Sequence, residues 1–196
     1  MKRGLLASLI ITVISVAVLA QDHTRPRSTP SPIVRPTPST QPTPIPNPEG
    51  WVTFNNEAGR FSVLMPEIPT DKAETVPSDP GPYTTHLFIV SGTQSIFLIG
   101  WVDYDPKFNF NPTQELDLNR ENFIKGVNAT LVNSQRITID GYQGIEFTAE
   151  SPNRVFKSRV LMVGRRPYQL VTGTTKGLDD SVNVKRFFDS FKVRLH

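Results

Sequence analysis

Asp103-Tyr104-Asp105, followed by Asn109 and Asn111, is the grouping of side chains best suited to polar chemistry in this 196-residue chain. On a strand, residues two apart share a face, so the two carboxylates would point the same way. A following loop could then bring the amide oxygens alongside. Oxygen donors of this kind suit a hard cation such as calcium, which makes Asp103 and Asp105 the candidate metal ligands. The spacing matches no standard calcium loop, however, and solvated acids at a strand end look the same. Paired acids also hydrolyse glycosides, but that chemistry needs a sugar cleft.

Two further groups could hold a partner. Arg165-Arg166 falls at a predicted hairpin tip, where it would grip an acidic partner or an anionic glycan, or simply be solvated. Trp101, Tyr104, Phe108 and Phe110 cluster around the 103–112 loop. Trp101 reads as core. Phe108 and Phe110 lie among Asn, Lys and Pro and read as exposed, and an exposed aromatic loop marks a contact site. That loop is the preferred interaction surface.

The groups that catalysis ordinarily needs are sparse. There is no cysteine, so disulfides, reactive thiols and thiolate metal sites are excluded. His86 is the one histidine between residues 50 and 195, and it alternates in phase with Phe88 and Val90, as a structural histidine would. A histidine-based zinc site would lack ligands. No nucleophile elbow, phosphate loop or dinucleotide fingerprint occurs. Asn128-Ala129-Thr130 fits a glycosylation acceptor.

The positive charge lies outside this region. The chain carries 21 Lys and Arg against 18 Asp and Glu, but Lys2, Arg3, Arg25, Arg27 and Arg35 all precede Gly50. From Gly50 onward bases and acids are equal in number and interspersed. The concentrated basic footprint of a nucleic-acid binder is absent.

The amino-terminal part reads as an address. Lys2 and Arg3 precede an apolar run from Gly4 to Ala20, and Val18 and Ala20 supply the small residues of a signal-peptidase site before Gln21. The alternative is an uncleaved signal-anchor, the one route to a membrane, for which the run is short. Residues 21–49 hold nine of the 18 prolines among Thr and Ser. Such a stretch favours polyproline II over a core and would reach on the order of 80 Å as a spacer.

Residues 50–196 read as a single domain. Trp51–Asn55 with Arg60–Met65, and Tyr83–Val90 with Ser95–Asp103, predict two hairpins, and Thr70–Val76 predicts an edge strand. Ile96-Phe97-Leu98-Ile99 is apolar in both phases, so its strand should be internal and covered on both faces. A helix follows from Pro112, capped by Thr113, with Leu116, Phe123, Ile124 and Val127 on one face. Asp140-Gly141 predicts a tight hairpin turn, and Gly164-Arg165-Arg166-Pro167 another. Asp179 or Asp180 would cap a last helix striped by Val184, Phe187, Phe188 and Phe191. The fold class is α+β: one twisted antiparallel sheet with helices packed on its faces.

Phe54 with Gly59-Arg60-Phe61-Ser62-Val63-Leu64-Met65-Pro66, Ile139-Asp140-Gly141-Tyr142-Gln143-Gly144-Ile145-Glu146, Gly164-Arg165-Arg166-Pro167-Tyr168-Gln169-Leu170 and Phe187-Phe188-Asp189-Ser190-Phe191 form a pattern. It resembles stand-alone bacterial domains of the PsbP-like superfamily, over most of residues 50–196. The resemblance implies an α/β/α sandwich. It also implies a non-enzymatic, extracytoplasmic protein that binds or stabilises a larger assembly. No metal-binding or photosystem-docking residue of that family maps onto a position here, so no photosynthetic role is implied. The expectation is an exported domain without cofactor, binding a protein or envelope component. The alternative is a small-ligand or calcium-binding domain, with a hydrolase third.

Overall fold

The computed structural model describes residues 50–194, except positions 80, 93 and 110. The segment read as an export signal, residues 1–20, the proline-rich residues 21–49 and Phe110 therefore lie outside the described residues. Among the described residues, the chain forms ten strands and two helices.

The first strands are β1 (Val52–Asn56), β2 (Phe61–Met65), β3 (Thr70–Val76), β4 (Tyr83–Ser91) and β5 (Ser95–Tyr104). Helix α1 (Pro112–Gly126) follows, then β6 (Thr130–Ile139), β7 (Tyr142–Glu150), β8 (Arg154–Val163) and β9 (Arg166–Thr175). Helix α2 (Ser181–Ser190) and the short β10 (Lys192–Val193) close the chain.

Seven strands pair antiparallel in the order β3-β4-β5-β9-β8-β7-β6. The β6–β7 turn is Asp140-Gly141, with φ of 51° and 82°; both residues are left-handed, as a type I′ turn requires. The expectation of one sheet needs correction. β1, β2 and β10 form a separate three-stranded sheet. Pro66 and Pro69 end the first hairpin before it can join the larger ladder, and its apolar side chains cover that ladder instead.

Successive strand residues point to opposite faces, so the large sheet carries two cores. Val160 and Val171 pack with Ile145 and Phe147 under Leu116 and Phe123 of α1. Their neighbours Leu161 and Leu170 pack on the other face with Phe61, Val63 and Met65 of β2 and Val184, Phe187 and Phe188 of α2. The two-faced apolar run of β5 is divided likewise: Phe97 and Ile99 belong to the second core, and Leu98 packs against the first.

The cap of α1 is Asn111, not Thr113: its Oδ1 accepts from the amides of Thr113 and Gln114 at 2.9 and 3.3 Å. Pro112 fills the first helical position, where a missing N–H costs nothing, so the cap falls one residue earlier. At α2 the two aspartates divide the work. Asp179 accepts from the Ser181 amide, while Asp180 occupies the cap position and receives bonds from Ser95 and Asn183.

Candidate functional site

The register of the large sheet assembles the residues singled out by their chemistry. Trp101 on β5 lies opposite Tyr168 on β9. Asp103 is two residues further along and Arg166 two residues back, so the pair meets across the ladder. Arg166 Nε donates to Asp103 Oδ1 at 2.8 Å and Nη2 lies 2.6 Å from the same oxygen. The other carboxylate oxygen accepts from Trp101 Nε1 at 3.2 Å and stands 3.4 Å from His86 Nε2. The His86 ring stacks on Trp101 with centroids 4.3 Å apart. Arg166 also donates to the Ala58 carbonyl, which ties the large sheet to the β1–β2 turn.

Three expectations are corrected here. Arg166 is not at a hairpin tip: the turn is only Gly164-Arg165, and Val163 pairs with Arg166 inside the ladder. Phe108 is not exposed; it packs with Tyr83 and Tyr104 in a small aromatic core. The 105–108 loop is held down by Arg165, whose guanidinium donates to the carbonyl oxygens of Asp105 and Phe108 at 3.3 and 2.7 Å. Finally, β5 stops at Tyr104, so the alternation that would align two carboxylates does not reach Asp105. Asp105 Oδ1 instead accepts from the Lys107 amide. Among the described residues, no group of three or more His, Asp or Glu side chains is placed to hold a metal ion.

Tyr104 also fixes the start of α1, donating to Glu115 Oε1 at 2.6 Å. Burial pushes the Glu115 carboxyl above its ordinary pKa, and this outweighs the tyrosine bond, which acts the other way. The folded chain therefore holds that proton to higher pH than the unfolded chain does. The carboxyl's contribution to stability is complete below its unfolded value, about 4.3, and is lost as pH rises through the raised folded value. Glu115→Gln keeps an acceptor for Tyr104 and carries no charge. The variant should gain stability over the wild type as pH rises from 4 to 8, read as urea midpoints. Parallel midpoint curves for the two proteins would refute this.

Sequence reasoning found the β3 edge, Thr70–Val76, but missed the β6 edge and the groove beside it. The groove, about 510 Å³, runs between α2 and the β6–β8 corner. Gln135, Glu146, Lys157, Arg159, Lys185 and Phe188 are among its lining residues. Arg159 is fixed there by Glu146 at 2.9 Å, by the Phe188 carbonyl at 3.1 Å and over the Phe188 ring.

The edges themselves differ. β3 is guarded: it carries Asp71, Lys72 and Glu74 between Pro69 and Pro77. β6 is longer, has Arg136 as its one charge, contains no proline, and is exposed at every residue from Thr130 to Arg136. Its only irregularity is a register shift between Leu131 and Asn133. Leu131 and Val132 expose 40% and 55% of their surface, so the apolar side chains of this edge are open to a partner. The sparse charge of Leu131–Ile139 was visible in the sequence, but its place at the sheet edge was not.

No family model and no curated protein matches the chain. Among solved structures, cyanobacterial PsbP (CyanoP) from Synechocystis aligns with a TM-score of 0.52. The match covers 74% of this chain and 92% of that one, at 13% identity. The fold is PsbP-like. A second solved chain, from Bacteroides thetaiotaomicron, is 14% identical over 74% of this chain and 48% of its own, with a TM-score of 0.36 that carries no argument. The likeness to the PsbP-like fold extends to architecture alone and brings no residue's role with it. Among the described residues, no helix is long and apolar enough to cross a membrane.

Proposed function

We propose that this PsbP-like domain is an extracytoplasmic, non-enzymatic binding module, and that its partner is a protein that adds an extended segment to β6. The contrast between the two edges of the large sheet carries this reading. Unpaired edges invite strand addition, and folded proteins ordinarily block them with charge, proline or short length. β3 carries such guards, whereas β6 presents ten residues with a single charge and two exposed aliphatic side chains. Strand addition draws affinity from main-chain hydrogen bonds and specificity from side-chain pockets, and the polar groove beside β6 would supply the latter. The export signal read in residues 1–20 supports the extracytoplasmic placement.

The test places a photocrosslinking residue at Val132, and separately at Asp71, in the full chain in the cells that make it. One protein should be captured from Val132 and none from Asp71. Leu131→Lys with Val132→Lys, with the crosslinker moved to Gln135, should lose that capture at least tenfold. Both side chains are exposed, so the melting temperature should move by no more than about 2 °C. Equal capture from the two edges, or capture from Asp71 alone, would overturn the assignment. Capture of a second copy alone would make β6 a homodimer edge.

A further inference from the structure

The face of the large sheet beneath α1 contains several buried polar side chains. Glu115 and Asn119, one helical turn apart, are 4% and 2% exposed, and they face Thr85, Ser158 and Gln169, all buried. Glu115 is satisfied by Tyr104, and Gln169 Nε2 donates to Ser158 Oγ at 3.1 Å. Two acceptors remain. Asn119 Oδ1 and Gln169 Oε1 are buried and have no hydrogen-bond partner among the described residues. Both residues line one small cavity of about 10 Å³, together with Thr85, Leu87, Gly100 and Val102. Gly100 contributes no side chain there.

We infer that this cavity is a binding site for a single water molecule, held by Asn119, Gln169 and Thr85. The stoichiometry of donors and acceptors supports it. A water has two protons to give, and there are two buried oxygens that lack a donor. Thr85 has one hydroxyl proton, which it donates to the Glu74 carbonyl over a long 3.3 Å; turned toward the cavity, that same proton would pass to the water's oxygen instead. Buried waters characteristically make about three such bonds. The size restricts the occupant further: about 10 Å³ is at the lower limit for one water and admits nothing larger. A cation is disfavoured, because amide and hydroxyl oxygens alone would face its charge in a cavity too small for its hydration shell. The site has a structural consequence. Leu116 and Phe123 attach α1 through apolar contact, while Glu115 and Asn119 attach it through a hydrated polar seam running to the centre of the sheet.

The experiment is water-exchange NMR on the full chain labelled with ¹⁵N, with ¹⁷O relaxation dispersion to count long-lived waters. The side-chain amides of Asn119 and Gln169 should both show dipolar cross-peaks to water with the sign of a bound molecule. Asn119→Leu with Gln169→Leu should remove one long-lived water from the count. Direct contact between the two amides without a water cross-peak would overturn the proposal, since a turned Gln169 amide would then satisfy Asn119 itself. Because that readout uses the wild type, it decides the question even if the double variant fails to fold. An unchanged water count in a folded double variant would also overturn it.

Discussion

Phe61→Ala should lower the free energy of unfolding by about 3–5 kcal/mol, the usual range for truncating a fully buried phenylalanine. Phe61 has no exposed surface. Its ring meets Phe54 at 5.9 Å, Trp101 at 5.7 Å, Tyr168 at 6.2 Å and Phe191 at 5.8 Å between centroids. Those partners come from β1, β5, β9 and the segment after α2, so one side chain joins the small sheet to the large one. Edge-to-face pairs contribute beyond their buried area, which places this site at the upper part of the range. Against a total of about 5–15 kcal/mol the variant should remain folded but melt early. Denaturant unfolding followed by tryptophan fluorescence measures it, with Ile68→Ala, at a largely exposed site, as the neutral control. A loss below about 1 kcal/mol would mean that the two sheets are joined elsewhere.

Gly144→Ala should be the most damaging of the small substitutions. A methyl group on Gly144 would sit 2.4 Å from the Val160 carbonyl oxygen and 2.7 Å from Leu161 Cδ2. The leucine can turn away, but the carbonyl belongs to the neighbouring strand of the ladder and cannot. β7 and β8 must therefore part locally, at a cost of about 1–3 kcal/mol or more. Amide hydrogen exchange should show Ile145 and Val160 losing protection while the distant β4–β5 pair keeps its own. Uniform protection at wild-type levels in both places would contradict the clash.

Local signals foretold much of this fold. The two-faced apolar run of β5, the phenylalanine stripe of α2 and the Asp140-Gly141 turn each follow from a few neighbouring residues. What stayed hidden depends on register and on distant partners. Phe108 has polar chain neighbours, and its burial is decided by Tyr83 and Tyr104, which the sheet brings to it. Arg166 looked like a turn residue because Pro167 follows, and proline seldom enters a central strand. Here the ladder to β5 begins at Tyr168, so only β8 lies alongside Pro167. The union of Asp103 with Arg166 likewise follows from a strand register that neither residue announces. The first hairpin was legible as a hairpin, but its separation from the main sheet was not.

The three-stranded sheet also sets how the domain would bear a pull. The chain enters β1 at Val52, opposite Met65, and leaves β10 at Val193, opposite Phe61 at the far end of β2. Traction between those two points therefore runs lengthwise along the strands, while ladder hydrogen bonds lie across them. Loaded this way the bonds share the force and must yield together, as a lap joint does, instead of opening one after another like a zip. A domain held at Gly50 and stretched through Arg194 should resist in shear, with β2 as its mechanical keystone.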